Sequence, residues 1–130
     1  MASPFRTGIL LAIGAGGAAG AIMRYWLSVR VYGWLGQGFP YGTLTVNVLG
    51  SLLMGLLYVI LTERLSLGIE WRAVLMIGFL GSFTTFSTFS LETLTLFEQG
   101  DQIKALTNVL LSLLLCLAGG WAGIVMGRQL

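Results

Sequence analysis

Apolar residues run almost unbroken through four stretches of the chain, at about 8–29, 42–61, 73–97 and 105–126. Each is near the length of about 20 residues that carries a helix across a bilayer. None shows the strict alternation of a membrane β-barrel strand. The connections between them are short and polar: "YGWLGQGFPY", "TERLSLGIEWR" and "EQGDQIK". The pattern predicts an all-α membrane protein, a single domain over residues 1–130 made of four transmembrane helices. Arg24 and Arg30, within and just after the first stretch, argue against reading it as a cleavable signal peptide.

The third stretch departs from the pattern. "GSFTTFSTFS", residues 81–90, carries six hydroxyls and three phenylalanines (Phe83, Phe86, Phe89) spaced three apart. Hydroxyls compete for backbone hydrogen bonds, and Gly78 and Gly81 loosen the helix before them. A break near 81–84, close to the middle of the span, is expected. Irregular backbone survives at that depth only where it is buried in protein or lines a wet cavity. Freed carbonyls there suit a hard cation such as Na⁺, and freed N–H groups suit an anion. A phenyl ring is electropositive at its edge. Phe86 and Phe89, sharing a helix face, can therefore line an anion path without the fixed charge that would hold the ion too tightly to release it.

Other polar residues lie inside the spans. Asn47 is near the middle of the second, either as a helix–helix hydrogen bond or as a donor to a permeating anion. Arg24 either snorkels to the interface or serves as a vestibule cation that attracts anions and orders its neighbours. Glu92 can be a snorkelling end residue, a partner of Arg24, or a proton carrier. Asn108, Ser112 and Cys116 form a polar row at i, i+4 and i+8 on the fourth span.

Composition narrows the classes. Only 9% of the 130 residues are charged, against 56% hydrophobic, with a mean hydropathy of +0.89. Such a chain cannot clothe a water-facing surface. The net charge of +2 comes from seven scattered basic residues, which speaks against nucleic-acid binding. With no histidine and one cysteine there are no ligands for zinc or iron–sulfur sites, no Cys–His nucleophile and no intrachain disulfide. "GAGGAAG" at 14–20 lacks the strand and the acidic residue of a dinucleotide fingerprint. An enzyme is not expected.

Four antiparallel spans put Arg6, Arg64, Arg72 and Arg128 on one side and Arg30 and Lys104, with Arg24 if it snorkels outward, on the other. That bias hardly selects an orientation. Either the termini lie inside, or the chain inserts both ways and pairs with an inverted copy. Four helices leave little room for a pore within one bundle, so a polar path is expected between two chains. Gly16 and Gly20, and the ladder Gly119, Gly123, Gly127, offer flat faces, either for such a contact or for packing within one subunit.

Four patches, "GGAAGAIMRY" at 16–25, "GTLTVNVLG" at 42–50, "GFLGSFTTFSTFSLE" at 78–92 and the polar face of the fourth span, resemble the Fluc, or CrcB, fluoride channels of microbes. The resemblance covers essentially the whole chain. It implies an antiparallel, dual-topology homodimer in the bacterial plasma (inner) membrane. Two fluoride pores would lie at its interface, and a structural Na⁺ at its centre would sit on backbone carbonyls of the broken third helix, here those of Gly81 and Thr84. By position, Asn47, Thr85, Phe86, Phe89, Ser112 and Asn108 are the pore residues, and Arg24 and Glu92 the vestibule or structural ones. The implied activity is passive, fluoride-selective conduction that lets cytoplasmic fluoride leave the cell. Ser82, Phe83 and Cys116 depart from residues common in that family. The alternatives are a small proton-coupled exporter using Glu92 and a membrane subunit with no flux of its own.

Overall fold

The computed structural model describes residues 5–130. Its first element, α1 (Thr7–Leu35), is a helix of 29 residues. It stops at Gly36, whose φ of 84° is open to glycine and whose N–H returns to Tyr32 O at 2.9 Å. Pro40 then opens α2 (Tyr41–Tyr58), which continues through a π-helical segment, Val59–Arg64. The third passage is composite. A turn of helix, α3 (Ile69–Arg72), leads into π-helical Ala73–Leu80 and the short α4 (Gly81–Phe83). Thr84 (φ −89°, ψ 158°) and Thr85 (φ −151°, ψ 110°) are extended, and α5 (Phe86–Glu98) follows. After Gly100, at φ 86°, α6 (Gln102–Gln129) completes the fold.

Four passages, Thr7–Leu35, Tyr41–Arg64, Ile69–Glu98 and Gln102–Gln129, are long and apolar enough to cross a membrane. Each overruns the apolar stretch that announced it. A helix satisfies its backbone within itself, so it continues into the interfacial zone where polar side chains reach water.

α2 lies along α6, and α1 lies along Ala73–Leu80. Small residues set both contacts. A methyl group at Gly20 would sit 2.1 Å from Phe79 O, and one at Gly123 would sit 2.1 Å from Leu52 O. The glycine faces of the first and fourth spans are thus used inside the subunit. The core gathers Val46, Leu80 and Phe83, with Leu27, Leu53 and Phe79 packed around it. Phe79 and Phe83 stack nearly parallel at 6.0 Å.

Charged residues collect at the ends. Arg6 pairs with Glu70 and Arg128 with Glu63, both at 3.1 Å, and Arg64 donates to Arg128 O. Lys104 Nζ reaches Gly38 O at 3.0 Å. The two ion pairs are about half exposed, so solvent screens them and each contributes little.

Candidate functional site

The extended pair Thr84–Thr85 organises the site. In an unbroken helix the Thr85 N–H would reach Gly81 O and the Phe86 N–H would reach Ser82 O. Here the Thr85 N–H donates to Asn47 Oδ1 at 2.7 Å, and Asn47 Nδ2 donates to Thr85 O at 3.1 Å. Arg24 Nε donates to Ser82 O at 2.9 Å. Side chains from α1 and α2 therefore stand in for helix hydrogen bonds lost at the gap. Backbone polar groups at membrane depth need such partners.

Thr85 also restarts the helix. Its Oγ1 accepts the Thr88 N–H at 3.2 Å, the N-cap bond of α5, and donates to Thr88 Oγ1 at 2.9 Å. Other hydroxyls, in the stretch and just beyond it, donate to the carbonyl four residues earlier. Thr84 Oγ1 donates to Leu80 O, Ser90 Oγ to Phe86 O and Thr93 Oγ1 to Phe89 O.

A groove of about 730 Å³ runs along the outer face of the chain beside this gap. Asn47, Thr84, Thr85, Phe86, Phe89, Ser112 and Cys116 all line it. Phe86 and Phe89 meet with ring centroids 5.4 Å apart and planes tilted by 48°. Phe89 is 9% exposed and Phe86 75% exposed. Of the three evenly spaced phenylalanines, Phe83 goes to the core and the other two to the groove. The intervening extended residues shift the helical phase, so a spacing of three does not keep the rings on one face.

The remaining residues singled out in the sequence lie elsewhere. Asn108, 2% exposed, is absorbed between α5 and α6, where its Nδ2 donates to Thr93 Oγ1 at 2.9 Å and its Oδ1 accepts from Ser112 Oγ at 3.4 Å. Glu92 does not pair with Arg24. Its carboxylate accepts from Tyr32 OH at 3.1 Å and from Thr43 Oγ1, tying α5 to α1 and α2. Tyr32 was not legible as a polar contact, because a tyrosine near the end of a span reads as an interfacial anchor. Thr43 was within reach: Thr43, Asn47 and Ser51 fall at i, i+4 and i+8, a second polar row on α2 like that on α6. Among the described residues no group of three His, Cys, Asp or Glu side chains could hold a metal.

Four apolar spans with a ring-lined groove beside a mid-span gap define a small helical protein of the membrane-spanning type. The chain belongs to the CrcB family: the family model described as "CrcB-like protein, Camphor Resistance (CrcB)" matches residues 11–124. A protein of Methylococcus capsulatus is 59% identical over 121 residues, covering 93% of this chain and 53% of that protein. One from Coxiella burnetii is 52% identical over 123 residues, covering 94% and 98%, and one from Magnetococcus marinus is 52% identical over 116 residues, covering 89% and 94%. Each of the three is named a fluoride-specific ion channel, FluC. The chain thus spans about half of the Methylococcus protein and nearly all of the other two. The family is one of ion channels and not of enzymes.

Proposed function

We propose that this chain is a passive, fluoride-selective channel of the plasma membrane, working as a homodimer of oppositely oriented copies with a pore on each side of the interface. The observation that carries this reading is the groove: it brings Asn47, Thr85, Phe86, Phe89 and Ser112 together on one open face. Phe86 is three-quarters exposed on a single chain, and a second copy would cover it in this arrangement. Fluoride gives up tightly held water on entering such a path. Ring edges, hydroxyls and the amide offer it donors that are partial charges rather than fixed ones, so it is held and let go.

The neighbourhood of Gly81 fits a structural Na⁺ at the dimer centre. Gly81 is exposed, and the N–H that would occupy its carbonyl in a helix is engaged by Asn47. Thr84, in extended backbone, offers the second carbonyl. Bound there, Na⁺ would supply a positive charge that draws carbonyl oxygens of two chains together.

Purified protein in liposomes loaded with fluoride should release it once an ionophore relieves the charge imbalance, while the same liposomes keep chloride. Equal loss of both ions would end the claim of selectivity, and no loss of either would favour a subunit without flux.

A further inference from the structure

Arg24 lies well inside the first span, and among the described residues no ion pair neutralises it. No carboxylate lies within ion-pair distance of it among the described residues, and Glu92 is engaged with Tyr32 and Thr43. Among the described residues its hydrogen bond runs from Nε to the neutral carbonyl of Ser82 at 2.9 Å. That carbonyl is the one the Phe86 N–H would claim if the helix closed. The register is set by the close approach at Gly20, which seats α1 against Phe79 and brings Arg24, one turn further on, beside Ser82.

From this geometry, and resting on the channel reading above, we infer that Arg24 is a positioning residue that acts through its Nε–H, not its charge, by occupying Ser82 O and so keeping the helix open in front of Phe86. Asn47 does the complementary half of the work. It engages the Thr85 N–H that would otherwise close onto Gly81 O. Arg24 thus guards the acceptor side of the gap and Asn47 the donor side. If Ser82 O were released, the Phe86 N–H could take it, the helix would extend across Thr84–Thr85, and Phe86 would rotate out of register with Phe89.

The side-chain chemistry permits a sharp test. The amide nitrogen of glutamine lies the same number of bonds from Cα as arginine Nε, so Arg24→Gln keeps the donor and discards the charge. Lysine has a methylene at that place, so Arg24→Lys keeps the charge and moves the donor. Full-length wild type, Arg24→Gln, Arg24→Lys and Arg24→Met are compared for fluoride efflux from liposomes at equal protein density, after chromatography has shown that each assembles as the wild type does. Arg24→Gln should conduct within about threefold of wild type, and Arg24→Lys and Arg24→Met should fall by about tenfold or more, the scale of one buried hydrogen bond. Lysine outperforming glutamine overturns the assignment in favour of a vestibule charge, and equal flux in the two overturns it without supporting a role for charge. If Arg24→Lys does not assemble, Arg24→Gln decides alone: near-wild-type flux supports the inference and lost flux or lost assembly refutes it. A wild type that conducts no fluoride fails at an earlier point, at the channel reading itself.

Discussion

Asn47 and Thr85 hold each other by two hydrogen bonds, side-chain amide to backbone amide, with Nδ2 donating to Thr85 O at 3.1 Å and the Thr85 N–H donating to Oδ1 at 2.7 Å. The asparagine thereby does for an extended residue what a neighbouring strand would do, and it fixes where α5 starts. Asn47→Asp keeps the acceptor, removes the donor and sets a carboxylate beside an anion path. Fluoride efflux from liposomes is expected to drop by about tenfold or more, since the lost bond and the repulsion act together. Unaltered efflux would assign Asn47 to packing alone.

Phe86→Ile removes the electropositive ring edge while keeping an apolar side chain of similar bulk at an exposed site. The variant should purify and assemble like the wild type and lose most of its fluoride flux. Efflux equal to wild type would mean that the rings do not coordinate the ion.

Gly20→Val puts a branched side chain where even a methyl would meet Phe79 O at 2.1 Å. Both sides of this contact are helix, so neither can yield locally and α1 must move out. A destabilisation of about 1–3 kcal/mol is expected, the usual cost of overpacking. It should be visible as a lower midpoint in thermal unfolding in detergent, together with reduced flux.

Glu92→Gln separates the channel from a proton-coupled exporter. Both carboxylate oxygens accept hydroxyl protons, from Tyr32 and Thr43, and glutamine can accept with only one of its two end atoms. The wild type should pass fluoride only down its gradient, whatever the pH difference across the membrane. Uphill movement driven by a pH gradient, and abolished in the glutamine variant, would favour the exporter.

Replacing Na⁺ by a large organic cation during purification and assay should abolish flux, and returning Na⁺ should restore it. The hydroxyl and carbonyl oxygens near Gly81 and Thr84 give such a cation no anionic ligand to hold it. If the proposed ion binds there, its retention would depend on geometry, which favours a close-fitting monovalent ion. Full activity without Na⁺ would remove the central ion from the proposal.

Much of the architecture was legible in hydropathy alone, because a bilayer forces every backbone group in a span to be satisfied internally. The four spans fell where the apolar runs put them, short only at the ends, where interfacial residues keep helical backbone but lose the apolar signature. The hydroxyl-rich stretch announced an irregularity and the asparagine announced a polar contact. What could not be read was phase. Three phenylalanines at equal spacing look alike in a sequence, yet Phe83 is core and Phe86 is open, because two extended residues lie between them. Partners were equally hidden. Glu92 and Arg24 invite pairing as opposite charges, but the chain path gives Glu92 two hydroxyls and gives Arg24 a carbonyl. The flat glycine faces could have served either neighbour, and only packing assigned Gly20 and Gly123 to contacts inside the subunit.

The three-quarters exposure of Phe86 bears on how the protein should behave at low abundance. If a second copy completes the pore, as proposed, activity should scale with how often two copies meet in the same bilayer. Dilution into excess lipid, until most vesicles hold one polypeptide or none, should then silence whole vesicles one by one rather than slow all of them evenly.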